Sequence, residues 1–326
     1  MRNDHATTSL LRHVGQHGVL VALLVLILFG WLRYDNFLGS FNVLSLLRYN
    51  AMFALVALGM CYVIMTGGID LSVGSTAALG SVVAALLSPY GLLAGLVGGM
   101  AAGLAIGVIN GLVVTRLGVL PFIATLATML AASGTALLLA GNQSVSVSYE
   151  TAFVELGQGD LLSFPVPAWI ALLAYVGGSV VLNRTAFGRH VLAVGGNEDA
   201  SRLMGLPAQR TKFVVYALSG TLAGLAGVIL AAQFGAGQPI EGVGWELFAI
   251  ASVVVGGTLL TGGVGSVGAT LAGVLLLGLI FNMLNFENGM GWISLSAYWQ
   301  SVIRGGFLLL VVILQAKLMT REEAAA

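Results

Sequence analysis

Long apolar runs separated by short polar breaks account for almost all of this 326-residue chain. A helix needs about 20 predominantly apolar residues to cross the hydrocarbon core of a bilayer. Ten segments approach that pattern: 18–34, 48–66, 72–89, 92–115, 119–140, 164–183, 213–232, 246–262, 266–285 and 298–316. Two of them, 72–89 and 246–262, are short and bounded by glycine. The expected fold is therefore an all-α polytopic membrane protein of about ten transmembrane helices, with eight as the lower bound. The opening "MRNDHATTSLLRHVGQHGVLVALLVLILFGWLRY" joins an early basic stretch to an apolar run, with no small-residue cleavage site after it. It reads as a retained first helix and not as a removed signal peptide.

Composition agrees: 58% of residues are hydrophobic and 8% charged, against about 25% charged in soluble domains. Net charge is zero, so no basic surface points to nucleic acid. The placement of charge says more than its sum. With both termini in the cytoplasm, Arg2, Arg12, Arg116, Arg184, Arg189, Arg202, Arg210, Lys212, Lys317 and Arg321 all lie inside, ten of thirteen basic residues. That matches the bias of membrane proteins toward cytoplasmic Lys and Arg. Arg33 and Arg48 remain outside near helix ends, and Arg304 falls within the last expected span. The chain reads as one transmembrane domain, 1–326, with an external loop at 141–163 and a cytoplasmic loop at 184–212. The external loop holds three acids and no Lys or Arg.

Several chemistries are excluded. No phosphate loop of the form G-x-x-x-x-G-K-[ST] is present, so the chain has no means of hydrolysing ATP itself. His13 and His17 stand four apart in a polar flank without an acidic third ligand, which reads as a solvated helix face and not a metal site. The four histidines assemble no nucleophilic triad, so no catalytic residue and no metal site is expected. Cys61, the single cysteine, lies in an apolar run and reads as a small buried hydrophobe. Acids inside the spans, which serve ion-driven carriers as relays, are nearly missing.

"GGIDLSVGS" at 67–75 is the exception, a carboxylate beside two glycines between two apolar segments. An ionised Asp at the bilayer centre costs about 2.5–3.5 kcal/mol on insertion scales. Toward the interface that cost fades, and Asp70 or Ser72 can accept hydrogen bonds from the first free amides of the next helix. Gly67, Gly68 and Gly74 let the backbone turn and approach. Irregular backbone at membrane depth survives only where protein or a watery cavity covers it, so this hinge is expected against packed protein or a water-filled cavity. A second break, "TGGVGSVGA" at 261–269, repeats TGG…SVG, and Gly262, Gly263 and Gly268 would mark the corresponding hinge. Uncharged polar residues within spans are the candidate pathway lining: Asn50, Asn110, Thr125, Thr128, Asn282 and Asn285. Each has the alternative of joining helices, worth roughly 0.6 kcal/mol in membranes.

In the cytoplasmic loop, "GGNEDASRLMGLP" at 195–207 predicts a short helix. Asn197 would cap it, Glu198 and Asp199 suit its first turn, and Gly205 with Pro207 ends it. Such a helix either lies in the headgroups as a connector or docks a soluble partner.

"EDASRLMG" at 198–205 resembles the coupling motif of bacterial ABC-importer permeases, with Asp199 where alanine is usual. Together with "TGGIDLSVGS" (66–75) and "GGTLLTGGVGSVGATLAGVL" (256–275), it makes residues 50–315 resemble a ribose-type monosaccharide permease. "SRLMGL" and "LNFENG" (284–289) are similar to the galactofuranose-uptake branch. The resemblance implies ATP-driven uptake of a pentose or hexose across the bacterial inner membrane by alternating access. It implies Asn197, Glu198, Asp199, Ala200, Arg202 and Gly205 as the ATPase-coupling residues. It implies a separate ATP-binding subunit carrying ATP and Mg, a periplasmic sugar-binding protein, and a second permease subunit, identical or different. This chain itself would be a transport subunit with no bound cofactor, and not an enzyme. The alternatives are a branched-chain amino-acid ABC permease, an ion-coupled carrier or channel acting without an ATPase, and a structural membrane scaffold.

Overall fold

A computed structural model describes residues 4–289 and, beyond them, positions 299, 302, 303, 305, 306 and 309. The chain is helical nearly throughout: α1 (Asp4–Arg33), α2 (Ser40–Met65), α3 (Val73–Leu87), α4 (Leu92–Arg116), α5 (Pro121–Ala140), α6 (Glu155–Gln158), α7 (Val166–Arg184), α8 (Ala186–Gly196), α9 (Glu198–Leu203), α10 (Ala208–Phe234), α11 (Trp245–Val255) and α12 (Val267–Gly289). Four two-residue strands, β1 (Val145–Ser146), β2 (Asp160–Leu161), β3 (Phe164–Pro165) and β4 (Ala236–Gly237), pair as β1–β4 and β2–β3, both antiparallel.

Seven helices among the described residues are long and apolar enough to cross a membrane, and Gly18–Arg33 and Trp245–Val255 are shorter apolar helices. The expected span at 246–262 needs correcting: its helix has only 11 residues, about 16 Å of rise. Glycines at 256, 257, 262 and 263 unwind the rest of that segment. The span expected from 48 starts at Ser40, more than two turns earlier. Most of segment 298–316, including Arg304, and the side chains of His13 and His17 lie outside the described residues.

Helix α10 is the post around which α2, α3 and α4 pack. Glycines recur every fourth residue along α4, at 95, 99, 103, 107 and 111, which puts them on one helical face. That face meets Gly220 and Gly224 of α10 so closely that a Cβ on Gly103 would lie 2.2 Å from the Gly220 oxygen. Without a hydrophobic driving force between helices in lipid, such backbone-to-backbone packing supplies much of the association. The core is densest along α2, where every residue from Asn50 to Met65 except Phe53 is buried. Cys61 is among them and accepts from Thr270 Oγ1 at 3.1 Å.

The two polar loops gather at opposite ends of these helices. At one end, Arg48 pairs with Asp160 at 2.6 Å, Ser148 N donates to Ser88 Oγ at 2.8 Å, and β1 pairs with β4. At the other, Gly263 N donates to Met65 O at 3.0 Å, and Lys212 pairs with Glu198. Helices α2 and α10 each run from one end to the other.

Candidate functional site

Three constellations carry the polar and glycine-rich residues singled out above. The first is a buried knot around Asp70, which is 1% exposed in the link between α2 and α3. One carboxylate oxygen accepts from Ser72 N at 3.0 Å, Ser72 Oγ at 2.6 Å and Asn110 Nδ2 at 3.4 Å. The other accepts from Ser219 Oγ at 2.9 Å. Asn110 Nδ2 also donates to Ser72 Oγ at 2.8 Å, and Thr128 Oγ1 donates to Asn110 Oδ1 at 2.6 Å. Thr125 Oγ1 and Tyr216 Oη lie 3.4 Å from the Ile69 carbonyl. The link therefore ties α4 and α10 together through the Asp70 carboxyl, and α5 joins them through Thr128 on Asn110 and Thr125 on the Ile69 carbonyl. Ser72 does not cap α3 with its own side chain; its hydroxyl donates back to Asp70 instead. Asn110, Thr125 and Thr128 are spent on this closed network and line no part of the large cavity described below.

The second constellation is a junction of glycines at the end where the 184–212 loop gathers. A Cβ on Gly195, near the end of α8, would stand 1.8 Å from Met65 O and 2.5 Å from Gly263 N. A Cβ on Gly262 would stand 2.7 Å from Gly67 N and 3.0 Å from Gly195 O. Gly67, Gly262 and Gly263 all have positive φ, which only glycine adopts without strain. The two glycine-rich breaks thus touch each other, and both touch the helix that leads into α9. Gly68 is enclosed by Tyr216 and Val63, whereas nothing lies within 4 Å of a Cβ on Gly268.

From this junction the chain passes into α9. Asn197 Oδ1 accepts from Ala200 N at 2.8 Å, and Glu198 and Asp199 occupy the first turn. Glu198 pairs with Arg202 at 2.5 Å and with Lys212 at the start of α10. Partial burial pushes the Glu198 carboxyl up, but the hydrogen bond and charge of Lys212, followed by Arg202, more than offset this and hold it below the ordinary carboxylate range. A carboxyl lowered in this way stabilises the fold fully above the ordinary range and loses that contribution only as pH falls through its lowered value. The tie is intact at neutral pH. Gly205, with φ of 78°, turns the chain out of α9, and Leu203 and Met204 beside it are 90% and 70% exposed.

The third constellation is a cavity of about 1060 Å³ between the first half of α2, α11 and the second half of α12. After α10 the chain runs down along α3: Gln238 N donates to Ser81 Oγ at 3.0 Å, and a Cβ on Gly242 would meet the Gly74 oxygen at 2.3 Å. Ser81 to Gly74 is about 10 Å of helix, so α11 starts well below the end at which the 141–163 loop gathers. Asn50, Glu241 and Trp245 line the space. Phe53 stacks near Trp245 and Phe248, with ring centroids 4.7 and 4.6 Å away. Asn282 also lines it, and exchanges hydrogen bonds with Asn42 at 2.8 and 3.2 Å, joining α2 to α12. Sequence reasoning singled out Asn50, Asn282 and Asn285 but missed the aromatic wall, Glu241, Gln233, Ser219 and Gly195. Glu241 lies between the expected spans 213–232 and 246–262, where an acid carries no special signal, and nothing in the pattern around Ser219 or Gly195 distinguishes them from neighbours.

A family model described as the permease component of the branched-chain amino acid transport system matches residues 42–312. The chain is 41% identical over 311 residues to the ribose import permease protein RbsC of Bacillus subtilis (strain 168), covering 94% of this chain and 93% of that one. It is 39% identical over 303 residues to the ribose import permease protein RbsC of Escherichia coli (strain K12), covering 91% and 92%. It is 38% identical over 300 residues to the L-arabinose transport system permease protein AraH of Escherichia coli (strain K12), covering 91% and 89%. No solved structure matches the chain.

Proposed function

Because the chain belongs to the family described as the permease component of the branched-chain amino acid transport system, we propose that it is the membrane-spanning subunit of an ATP-binding-cassette importer, and that its cargo is a monosaccharide. The observation that carries the sugar reading is end-to-end likeness to ribose and arabinose permeases, at 38–41% identity over nine-tenths of this chain. The same likeness favours sugar over branched-chain amino acids, despite the family's description. It also makes a pentose the first candidate; galactofuranose rests only on the segments 201–206 and 284–289. The chain is a transport subunit of the inner membrane.

The finer assignments form part of the proposal. The segregation of the two polar loops supports an external 141–163 loop and a cytoplasmic 184–212 loop, with both termini inside. Ten crossings then count α1, the half-length α11 completed by 256–266, and segment 298–316. The helix α9 (Asn197, Glu198, Asp199, Ala200, Arg202 and Gly205) receives the ATPase, which holds ATP and Mg. A sugar-binding protein docks outside, and a second permease subunit, identical or different, completes the complex. Gly67, Gly68, Asp70, Ser72, Gly74, Gly262 and Gly263 form the hinge region through which motion of α9 reaches the membrane helices. This chain binds no cofactor.

The test is co-purification from native membranes followed by an ATPase assay. An ATPase recovered in stoichiometric amount, stimulated by a sugar-loaded binding protein, is the expected result. The double variant Glu198→Lys with Gly205→Arg is expected to insert normally but to lose that stimulation about tenfold, since reversing one charge at a close pair and straining a left-handed turn each act at the docking helix. Sugar transport by the purified chain alone, driven by an ion gradient, would overturn the reading.

A further inference from the structure

The cavity described above has a specific architecture that the family reading does not use. We propose that it is an outward-facing sugar chamber in which Glu241 and Asn50 read hydroxyl groups while Phe53, Trp245 and Phe248 face the apolar side of the ring. This rests on the permease reading and adds to it the place where cargo is held.

Three observations converge. The walls come from the halves of α2 and α12 that lie toward the 141–163 loop, and Arg48 and Asp160 line the same space, so the cavity opens at that end. Its floor is the descending segment that ends in Glu241, Gly244 and Trp245, about 10 Å down α3. Below that floor the same helices close against one another at the glycine junction, so there is no continuous passage through the described residues. The shape is a vestibule with a closed bottom.

The lining chemistry suits a sugar. A monosaccharide ring offers an apolar C–H face and a rim of hydroxyls, and ligand sites generally combine apolar walls with a few polar groups that fix orientation. Here the aromatic side chains at 53, 245 and 248 form one contiguous wall. Glu241 is exposed into the space as a carboxylate acceptor. Asn50 keeps its amide NH₂ on Leu46 O at 2.8 Å, and its Oδ1 is accommodated because position 278 is glycine. Gln233 lines the cavity beside them, with its Oε1 buried and without a hydrogen-bond partner among the described residues. The exposed Glu241 carboxyl is an acceptor that a hydroxyl donor matches. Lipid chains offer no such donors, which sets the sugar above an acyl chain as occupant. The volume, just above the usual range of about 300–1,000 Å³ for small-molecule sites, leaves room for a sugar with its water.

The experiment uses cells whose outer membrane has been removed, expressing the whole importer with Cys61→Ser and a single new cysteine, Val243→Cys, at an exposed position of the same lining that is given no part in reading hydroxyls. A membrane-impermeant maleimide is expected to label it, and the importer's own binding protein loaded with D-ribose or L-arabinose is expected to slow labelling about tenfold more than the empty binding protein. In parallel, Glu241→Gln and Phe248→Leu, compared at equal assembly, are expected to change the ratio of D-ribose to L-arabinose uptake by about fivefold or more, because a site that reads hydroxyls discriminates between diastereomers that place them differently. A merely structural role would lower both uptakes together. No labelling from outside, or labelling without sugar-dependent protection and an unchanged ratio, overturns the chamber while wild-type uptake upholds the permease. A wild-type importer that takes up neither pentose overturns the pentose reading on which the proposal rests.

Discussion

Replacing Gly195 by alanine is expected to abolish sugar uptake, by about a hundredfold or more, while the neighbouring Gly196→Ala leaves it close to wild type. The two glycines are adjacent at the end of α8, yet a Cβ at 195 would stand 1.8 Å from Met65 O and 2.5 Å from Gly263 N, whereas nothing lies within 4 Å of one at 196. Both atoms met at 195 are backbone and share a hydrogen bond of 3.0 Å, so no flexible side chain can yield. Overpacking costs about 1–3 kcal/mol, and the upper end applies where backbone meets backbone. At 1.4 kcal/mol per factor of ten, that is enough to populate a parted junction over the closed one. The consequence follows from position: α8 leads into the proposed docking helix, Met65 ends α2, and Gly263 belongs to the break that precedes α12. Driving them apart disconnects the docking helix from both membrane helices. Uptake in cells, together with ATPase activity of the purified complex, separates the outcomes. Loss of uptake with basal ATPase retained is expected for Gly195→Ala; normal coupled uptake would mean that the junction transmits nothing.

This junction also shows what the sequence could and could not reveal. The two breaks stood out because glycine pairs interrupt apolar runs, and their shared TGG…SVG pattern suggested paired hinges. Their meeting at one point, with α8 between them, is a tertiary fact: Gly67, Gly195 and Gly262 are separated by more than a hundred and by more than sixty residues, and no local periodicity encodes such a contact. Helix α9 was legible because capping is local. Asn197, the acids after it and Gly205 act within one turn of themselves, and the structure places Asn197 Oδ1 on Ala200 N. Most membrane helices were legible for the same kind of reason, since length and hydropathy are read along the chain. The segment 246–262 misled because its hydropathy is that of a span, while the glycines that shorten its helix are needed for the tertiary close approaches of a broken helix. The polar residues within spans divided in a way that pattern could not foresee. Asn110, Thr125 and Thr128 went into a closed network; Asn50 and Asn282 went to a cavity wall.

Asp70 offers the sharper test of that division, because its alanine and asparagine variants should behave differently. Asp70→Ala is expected to eliminate assembled protein from the membrane. It removes the acceptor of Ser72 N, Ser72 Oγ, Asn110 Nδ2 and Ser219 Oγ in a site 1% exposed. A buried donor left unmatched costs about 1–3 kcal/mol, and no water reaches a closed knot at no cost to replace the carboxylate. Even two such losses take several kcal/mol from a fold whose whole margin is about 5–15 kcal/mol. Asp70→Asn removes the charge but can keep every contact. Its oxygen can take the three donors on the Ser72 and Asn110 side, and its NH₂ can donate to Ser219 Oγ, whose hydroxyl rotates to accept. Assembly and uptake within about threefold of wild type are therefore expected for asparagine, a loss of less than 1 kcal/mol. Assembly is read from the amount of monodisperse complex in detergent, and uptake is normalised to it. If Asp70→Asn assembles normally yet transports nothing, the carboxylate takes part in transport through its charge, and the knot is a moving part of the pathway. If both variants assemble and transport, the four donors have other partners and Asp70 is not what holds α4 and α10 to the hinge. The expected split, alanine lost and asparagine tolerated, is the signature of an acceptor that organises helices around the break, which explains why a chain this apolar keeps one carboxylate there.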